Sequence, residues 1–132
     1  MADRLLITGG AGFIGHHVIE ELLKKTDYDI VSLDRLDVSG NLNRLGEILE
    51  NNPAWKSRLS IIWHDLKAPI SDVVAKRIGK INYVLHLAAG SHVDRSIEYP
   101  MEFVMDNVVG TTNILDYARL RLKDSLKLFL YF

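Results

Sequence analysis

The sequence predicts an open α/β fold, in which helices cover both faces of a parallel β-sheet. Short apolar runs alternate with amphipathic helical patterns along the 132 residues, and this alternation is typical of parallel pairing because each helix crosses over one face of the sheet. The predicted strands are apolar throughout, as expected when both faces are buried. A glycine-rich corner, ITGGAGFIG at residues 7–15, joins the first strand to the first helix.

The elements follow one another in a regular order. We predict five strands, at residues 4–8, 29–34, 59–65, 81–87 and 126–132, and helices from Gly12 to Lys25 and at 42–50, 71–78 and 101–122. In the first helix Ile14, Val18 and Leu22 recur at helical spacing. Pro53 excludes a continuation of the second helix, and the rings of Trp63 and Tyr83 are expected in the core. We therefore predict one domain, residues 1–132, with strand order 3-2-1-4-5.

Composition narrows the class of protein. Hydrophobic residues make up 48% and the formal net charge is -1, so neither disorder nor a nucleic-acid or membrane partner is favoured. The chain has no cysteine, which excludes disulfides and cysteine metal sites. His16 and His17 cannot share one helix face, so we expect no metal site. No signal peptide or transmembrane run is found, and we expect a soluble cytoplasmic protein.

The glycine corner is typical of a dinucleotide-binding turn of the Rossmann type. Gly9, Gly12 and Gly15 form GxxGxxG, and Gly10 with the last two also forms GxGxxG. The first glycine permits the tight turn, the middle one lets a pyrophosphate approach the backbone, and the last lets the helix pack on the sheet. The motif follows a strand and opens a helix, whose N-terminus favours phosphate.

The end of the second strand carries a carboxylate. Asp34 follows Gly15 by 19 residues, where an acidic side chain can accept hydrogen bonds from an adenosine ribose and repel a 2′-phosphate. This favours NAD over NADP, although the neighbouring Arg35 is able to pair with a 2′-phosphate. Alternatively, Asp34 is a simple cap of the strand end.

Further motifs in order along the chain identify a family resemblance. The stretch TGGAGFIG (8–15), then Asp65-Leu66, then HLAA (86–89) resemble the extended short-chain dehydrogenase/reductases. DRLDVSGN (34–41) and the long stretch from Ser91 to Arg119 are similar to the dTDP-glucose 4,6-dehydratase branch of that family. The resemblance covers essentially the whole chain.

The resemblance implies roles for matching positions. Phe13 and Ile14 would offer backbone amides to the pyrophosphate, and small residues near the nicotinamide would allow its close approach. Ser91, His92 and Asn107 would face the nicotinamide and sugar pocket. The implied reaction oxidises the sugar at C4, removes water across C5 and C6, and returns hydride to C6. The remaining implied NAD contacts are Asp34, Arg35, Leu36, Asp37 and Gly40 around the ribose, Asp65 and Leu66 at the adenine, and Leu87, Ala88, Ala89 and Ser91 towards the nicotinamide.

Two positions depart from the branch. Gly90 replaces its usual glutamate, and Asp106 replaces its usual threonine before Asn107. A carboxylate at position 106 lies near the expected dinucleotide, where it can repel a phosphate or accept a ribose hydrogen bond. Both departures bear on the substrate more than on the cofactor. Asn107 and His92 also have a purely structural interpretation, and His86 is expected to be a packed histidine.

The chain has no candidate general acid/base of the family type, a tyrosine with a lysine four residues later. Tyr28, Tyr83, Tyr99 and Tyr117 are followed at that spacing by Ser32, Leu87, Phe103 and Arg121. The terminal strand LKLFLYF is apolar on both faces, which is unusual at a sheet edge. We therefore expect an N-terminal part of a longer enzyme without its substrate-binding C-terminal region. Alone it should bind NAD weakly, lack turnover, and self-associate as a homodimer or larger.

Three functions remain open at this stage. The leading one is the NAD-binding half of a nucleotide-sugar 4,6-dehydratase. A nucleotide-sugar 4-epimerase of the same superfamily is the second, and a non-catalytic NAD-binding or protein-binding module is the third.

Overall fold

The computed structural model describes residues 2–37 and 40–132, and shows one parallel sheet of five strands in the order β3-β2-β1-β4-β5. The predicted strand order is confirmed. The central strand β1 pairs with β2 and β4, so that Leu5 lies opposite Ile30 on one side and Tyr83 on the other. The strands are β1 (Arg4–Thr8), β2 (Asp29–Asp34), β3 (Leu59–Trp63), β4 (Tyr83–His86) and β5 (Leu128–Tyr131).

Six α-helices connect the strands in the described ranges. They are α1 (Phe13–Lys25), α2 (Leu42–Asn51), α3 (Asp72–Ile78), α4 (Val93–Glu98), α5 (Pro100–Phe103) and α6 (Gly110–Arg121). As predicted, the second helix does not continue through Pro53, which begins a short 3₁₀ turn, Pro53–Ser57. Val38 and Ser39, in the predicted DRLDVSGN loop, lie outside the described residues.

The last crossover differs from the single helix predicted over residues 101–122. A π-helical segment, Val104–Val109, joins α5 to α6, and α4 was not predicted at all. A π turn adds one residue to each hydrogen-bonded ring, so side chains within it leave the helical period on which the prediction depended. The segment carries Asp106 and Asn107, two of the predicted site residues.

The core has one layer on each face of the sheet. Leu6 and Val31 belong to the layer beneath α3 and α6, with Ile78 and Ile114. The neighbouring Leu5, Ile7 and Ile30 belong to the opposite layer beneath α1 and α2. This alternation follows from the period of two in a strand, and it confirms that β1 and β2 are covered on both faces.

The edge strands are less covered than the sequence pattern indicated. Leu128 and Tyr131 of β5 are 52% and 60% exposed, and Trp63 at the end of β3 is 65% exposed. The prediction of a core position was wrong for Trp63, because β3 is an edge strand; its ring nitrogen donates to the carbonyl of Arg35 at 2.9 Å. Tyr83 is partly buried and stacks on Tyr28.

A helix that crosses a bilayer must be both long and apolar. None of the helices in residues 2–37 and 40–132 combines the length and the apolar character needed to cross one.

Candidate functional site

An open cleft lies where the carboxyl ends of β1, β2 and β4 meet. It encloses about 660 Å³, part of which is open to solvent. In open α/β sheets ligands bind at this edge, at the point where the strand order reverses. The lining residues are Gly9, Gly12, Leu33, Asp34, Arg35, Asp37, Gly40, His64, Asp65, Leu66, Lys67, Leu87, Ala88, Ala89 and Asp106.

The glycine corner forms the floor of this cleft and depends on glycine at two positions. Gly9 has a φ of 73°, and a Cβ atom there would lie 3.0 Å from the backbone nitrogen of Ala88. A Cβ atom on Gly15 would overlap the carbonyl oxygen of Gly9. The corner therefore brings α1 and the β4 loop closer to the end of β1 than any other residue would allow.

Helix α1 begins at the cleft. Its N-cap residue is Gly12, which lines the cleft, and in the described part of the chain no side chain caps this end of the helix. Phe13 and Ile14 are 71% and 65% exposed. The first amides of a helix have no intrahelical partner and carry the positive end of its dipole. This helix end is therefore suited to an anionic group.

Asp34 is buried at the end of β2 and organises the loop around it. Its Oδ2 accepts a hydrogen bond from the amide of Ala11 at 3.1 Å, and its Oδ1 accepts one from Leu36 at 2.7 Å. A Cβ atom on Gly40 would lie 2.6 Å from Oδ1. The contacts fit the strand-end cap, and since a carboxylate has about four acceptor positions, Asp34 can still accept from a ligand in the cleft.

Arg35 connects two carboxylates of the cleft wall, Asp37 and Asp106. Its Nε donates to Asp37 Oδ2 at 2.6 Å, while Nη1 and Nη2 donate to the two carboxylate oxygens of Asp106 at 2.6 and 3.0 Å. The hydrogen bond with Asp106, followed by the nearby charges, raises the pKa of Arg35 above its ordinary value. The pair with Asp106 is bidentate, the strongest geometry for arginine and a carboxylate.

The third part of the wall follows β3. Asp65 lies two residues beyond the strand rather than at its predicted end; its Oδ1 accepts from the amide of Lys67 at 3.0 Å, and its Oδ2 lies 3.5 Å from Lys67 Nζ. The carbonyl of Leu66 accepts a hydrogen bond from Asn113 of α6 at 2.6 Å. The turn between β3 and α3 is thereby held against α6.

The loop after β4 is fixed by the hydroxyl of Thr8. Thr8 Oγ1 accepts from the amides of Leu87 and Ala88, each at 3.1 Å, and lies 2.6 Å from His86 Nδ1. With both acceptor positions used, the hydroxyl donates to Nδ1, so the proton of the neutral imidazole is on Nε2 and is donated to Thr111 at 2.9 Å. Burial lowers the pKa of His86, which is the packed histidine that the sequence indicated.

The predicted substrate residues lie outside this cleft. Asn107 forms two hydrogen bonds with the backbone of Gly90, at 2.7 Å to its amide and 3.1 Å to its carbonyl. His92 is exposed and lines a separate shallow depression with Val93, Asp94 and Arg95. Ser91 is exposed as well. In the structure Asn107 thus shapes the loop on which Ser91 and His92 are carried.

The cleft unites most of the predicted cofactor residues and adds some that sequence reasoning missed. Twelve of the predicted residues line it, whereas Phe13, Ile14, Gly15, Leu36 and Ser91 do not. Leu33, His64 and Lys67 line it without having been predicted. Adjacency to the predicted Asp34, Asp65 and Leu66 was a usable signal for all three. Thr8 and Asn113 had no such signal, because their partners are distant in sequence.

Comparison with known proteins agrees with the resemblance drawn from the motifs. The dTDP-glucose 4,6-dehydratase of Escherichia coli is 40% identical over 116 residues, which are 88% of this chain and 31% of that protein. The chain therefore spans about 31% of the length of the first curated relatives that it matches.

Solved structures share the fold. DesIV, a dTDP-glucose 4,6-dehydratase from Streptomyces venezuelae crystallised with NAD, superposes with a TM-score of 0.74 at 35% identity, over 87% of this chain and 35% of that one. A UDP-glucose 4-epimerase from Bifidobacterium longum, in complex with NAD+ and UDP, superposes with a TM-score of 0.78 at 26% identity, over 97% of this chain and 36% of that one. The family model for GDP-mannose 4,6 dehydratase matches residues 6–131, and the chain belongs to that family.

Proposed function

We propose that this chain is the NAD-binding part of a nucleotide-sugar 4,6-dehydratase. The observation that carries the proposal is the cleft itself, which joins the glycine corner, the carboxylate of Asp34 and the loop at residues 87–89 along one edge of the sheet. A dinucleotide has an anionic centre between two ribosides, and this order of backbone amides, carboxylate and small residues matches it.

The residues are suited to four parts of NAD: the pyrophosphate, the adenine, the ribose and the nicotinamide. Phe13 and Ile14 would offer the uncapped amides at the start of α1 to the pyrophosphate, and Gly9, Gly12 and Gly15 would keep side chains out of its path. Asp65 and Leu66 border the adenine. The ribose would be surrounded by Asp34, Arg35, Leu36, Asp37 and Gly40, with Asp106 nearby, and the nicotinamide by Leu87, Ala88, Ala89 and Ser91.

NAD is favoured over NADP by the position of Asp34. The carboxylate is 8% exposed and lines the cleft at the end of β2. An acidic side chain there accepts hydrogen bonds from ribose hydroxyls and repels the two negative charges of a 2′-phosphate.

The proposed chemistry uses the cofactor together with residues of the β4 loop. When bound, NAD+ supplies the hydride acceptor for oxidation at sugar C4 and, once reduced, the hydride that returns to C6 after water is lost across C5 and C6. Asn107 holds the backbone of Gly90 at both its amide and its carbonyl. We propose that this fixed loop presents Ser91 and His92 to the nicotinamide and the sugar.

Catalysis also needs a general acid/base, and the residue four positions later is not lysine for Tyr28, Tyr83, Tyr99 or Tyr117. We therefore propose that the activity belongs to a longer protein and that this chain alone binds the cofactor without turnover. Nucleotide sugars are the proposed substrates, in keeping with the names of the relatives.

A 4-epimerase is the second candidate. The epimerase from Bifidobacterium longum superposes as closely as the dehydratases do, and the two reactions share their first oxidation at C4. The whole protein would separate them by its product, a 4-keto-6-deoxy sugar from a dehydratase or an inverted C4 centre from an epimerase. A non-catalytic NAD-binding module is the third candidate.

Binding of NAD+ to this chain is the direct test. We expect one site per chain in isothermal titration calorimetry, and loss of that site in Gly9→Ala, because a Cβ atom would meet the backbone of Ala88. Gly46→Ala is the matched control, since a Cβ atom there has no neighbour within 4 Å. A wild-type chain that gives no binding heat and no competition would refute the proposal. Turnover of dTDP-glucose or UDP-glucose by this chain would refute its inactivity.

A further inference from the structure

The guanidinium of Arg35 has an unusual position for a cation at the ribose end of a dinucleotide cleft. It directly follows Asp34 and lines the cleft, where a free arginine would accommodate a 2′-phosphate. Asp106 takes one N–H from each terminal nitrogen, and Asp37 takes the Nε–H. The Arg35–Asp106 pair, here called the Arg35–Asp106 bridge, therefore uses the two-pronged face with which arginine binds phosphate.

The bridge crosses between distant parts of the chain. Asp106 belongs to the π-helical segment, 71 residues after Arg35 in sequence, and its side chain is 13% exposed. A Cβ atom on Gly90 would lie 3.4 Å from Asp106 Oδ2, and Trp63 holds the backbone carbonyl of Arg35 from the other side. The Asp106 end is thus packed in place, and the Arg35 end, whose side chain is 31% exposed, is held at its backbone, so little further ordering is needed to maintain the bridge.

The lining of the cleft carries more negative than positive charge, so the pairing of its cations affects phosphate binding. Among the lining residues, four carboxylates (Asp34, Asp37, Asp65 and Asp106) face two permanent cations, Arg35 and Lys67. Lys67 is also paired, with Asp65 at 3.5 Å. A 2′-phosphate entering this cleft would find excess negative charge, and the guanidinium able to bind it would already be engaged.

We propose that Asp106 sets the cofactor preference from outside the β2 loop, by holding Arg35 away from a 2′-phosphate. Asp106 is in this role a positioning residue, which acts through Arg35. The proposal depends on the proposed function, since it concerns the same dinucleotide site. It adds a second determinant of NAD preference beside Asp34, on an element that carries no part of the fingerprint motif.

The test compares NAD+ with NADP+ in binding to the 132-residue chain and its Asp106→Asn variant. Calorimetric competition with adenosine 5′-monophosphate and adenosine 2′,5′-bisphosphate isolates the contribution of the 2′-phosphate. Asparagine keeps the size of the side chain and removes its charge. We expect the affinity for NADP+ relative to NAD+ to rise about tenfold, the change that one charge-assisted hydrogen bond supplies.

Three further variants separate the bridge from general effects. Arg35→Ala/Asp106→Asn should lose the gain, because the released guanidinium is absent. Asp106→Glu should retain the wild-type ratio. Glu102→Gln is the matched charge control: Glu102 contacts Arg95 rather than Arg35, at 3.2 Å, and the same loss of negative charge there should leave the ratio unchanged. Thermal unfolding of each variant verifies that it is folded.

The outcomes for the role of Asp106 can be distinguished from those for the proposed function. A rise in relative NADP+ affinity in Asp106→Asn that disappears in the double variant supports the proposal. An unchanged ratio in a folded Asp106→Asn chain that binds NAD+ overturns it and leaves the proposed function standing. An equal rise in Glu102→Gln, or a rise that survives in the double variant, also overturns it. A wild-type chain that binds neither dinucleotide refutes the proposed function, and the role of Asp106 with it.

Discussion

The buried hydroxyl of Thr8 links the ends of β1 and β4, next to the cleft. It accepts hydrogen bonds from the amides of Leu87 and Ala88 and donates one to His86. His86 is 1% exposed. Since every hydrogen-bonding position of Thr8 and His86 is used, the imidazole is held in one neutral tautomer. Protonation would place a charge in a buried site and break the bond from Thr8.

His86 should therefore make folding stability depend on pH. Burial lowers its pKa in the folded chain below 6.5, so the unfolded chain binds the proton more tightly. The contribution of His86 to the free energy of unfolding should have its full value above pH 6.5. It should decrease as the pH falls from 6.5 to the pKa of His86 in the folded chain, and stay constant below that pKa. Urea titrations between pH 7.5 and pH 5 would measure this, and NMR would follow the ring. An equal slope in His86→Gln would show that another group is responsible.

Gly15 and Gly46 offer a matched pair of glycine substitutions. Gly15→Ala should lower the free energy of unfolding by roughly 1–3 kcal/mol, because the new Cβ atom overlaps backbone that cannot turn aside. Gly46 lies within α2 with open space around it, so Gly46→Ala should raise stability by about 0.5–1 kcal/mol through helix propensity. Urea denaturation measures both. Equal effects of the two would contradict this account of the corner.

Residues in a local motif were predictable, and residues defined by distant partners were not. Gly9 and Asp34 have roles that follow from their place between a strand and the next element. The partner of Arg35 is 71 residues away, and no pattern within a window of the sequence joins the two. The acidic departure at position 106 was visible, whereas its contact with Arg35 needed the fold.

Among the elements, the end of α1 is held by the side chain of Arg58, from the loop before β3, together with the hydroxyl of Thr26, which donates to the carbonyl of Leu22 at 2.7 Å. Arg58 donates to the carbonyl of Leu23 at 3.0 Å, of Thr26 at 2.6 Å and of Tyr28 at 3.0 and 3.2 Å. The last carbonyls of a helix have no intrahelical partner. One planar guanidinium thus satisfies the helix end and joins it to the start of β2.

Loss of this cap should destabilise the domain without changing the cleft. Arg58→Ala should lower the free energy of unfolding by about 1.5–3 kcal/mol, the range for hydrogen bonds to a charged group. Arg58→Lys should recover only part of it, because an ammonium cannot reach three carbonyls in one plane. Chemical denaturation would give the stability, and calorimetry with NAD+ should give the wild-type affinity. Full recovery of the stability in Arg58→Lys would show that the positive charge, and not the planar geometry of the guanidinium, accounts for the contact.

Element prediction succeeded where periodicity is regular and failed at two segments, the π-helical segment and α4. The strands and α1, α2 and α3 lie close to their predicted bounds because their apolar spacing is that of a strand or an α-helix. The π-helical segment departs from both periods, and α4 is short and wholly outside the core. Neither has a buried stripe by which a sequence pattern would reveal it.

At the scale of the whole molecule, one side of the last crossover exposes apolar surface. Met101 is 67%, Val108 is 58% and Leu115 is 47% exposed, and β5 exposes Leu128 and Leu130. Exposed large apolar side chains concentrated in one part of the chain favour association. The homodimer or larger assembly expected from the sequence stays a prediction, with this helix or β5 as its contact.

Val108→Asp should weaken such an assembly. Size-exclusion chromatography with light scattering should give a wild-type mass above 15.0 kDa that rises with concentration, and a mass shifted towards the monomer in the variant. Val73→Asp is the control, because Val73 on α3 is 71% exposed. This substitution adds the same charge outside the last crossover. If β5 forms the contact, Leu130→Lys rather than Val108→Asp should shift the mass towards the monomer. A wild-type chain that remains a monomer at high concentration would contradict the prediction.

The central place of β1 has a consequence for how the chain folds. β1 must pair with β2 soon after it in sequence and with β4 about 78 residues later, so the sheet cannot close until most of the chain is available. Loop-closure entropy makes such distant parallel pairing slow, and refolding on the order of milliseconds to seconds is expected. During synthesis, β1, β2 and β3 can assemble first, and β1 then presents an unpaired edge until β4 has left the ribosome. Stopped-flow refolding of Thr8→Val would test this order. The refolding rate should fall in the variant, as expected when the contact between Thr8 and the end of β4 forms in the transition state.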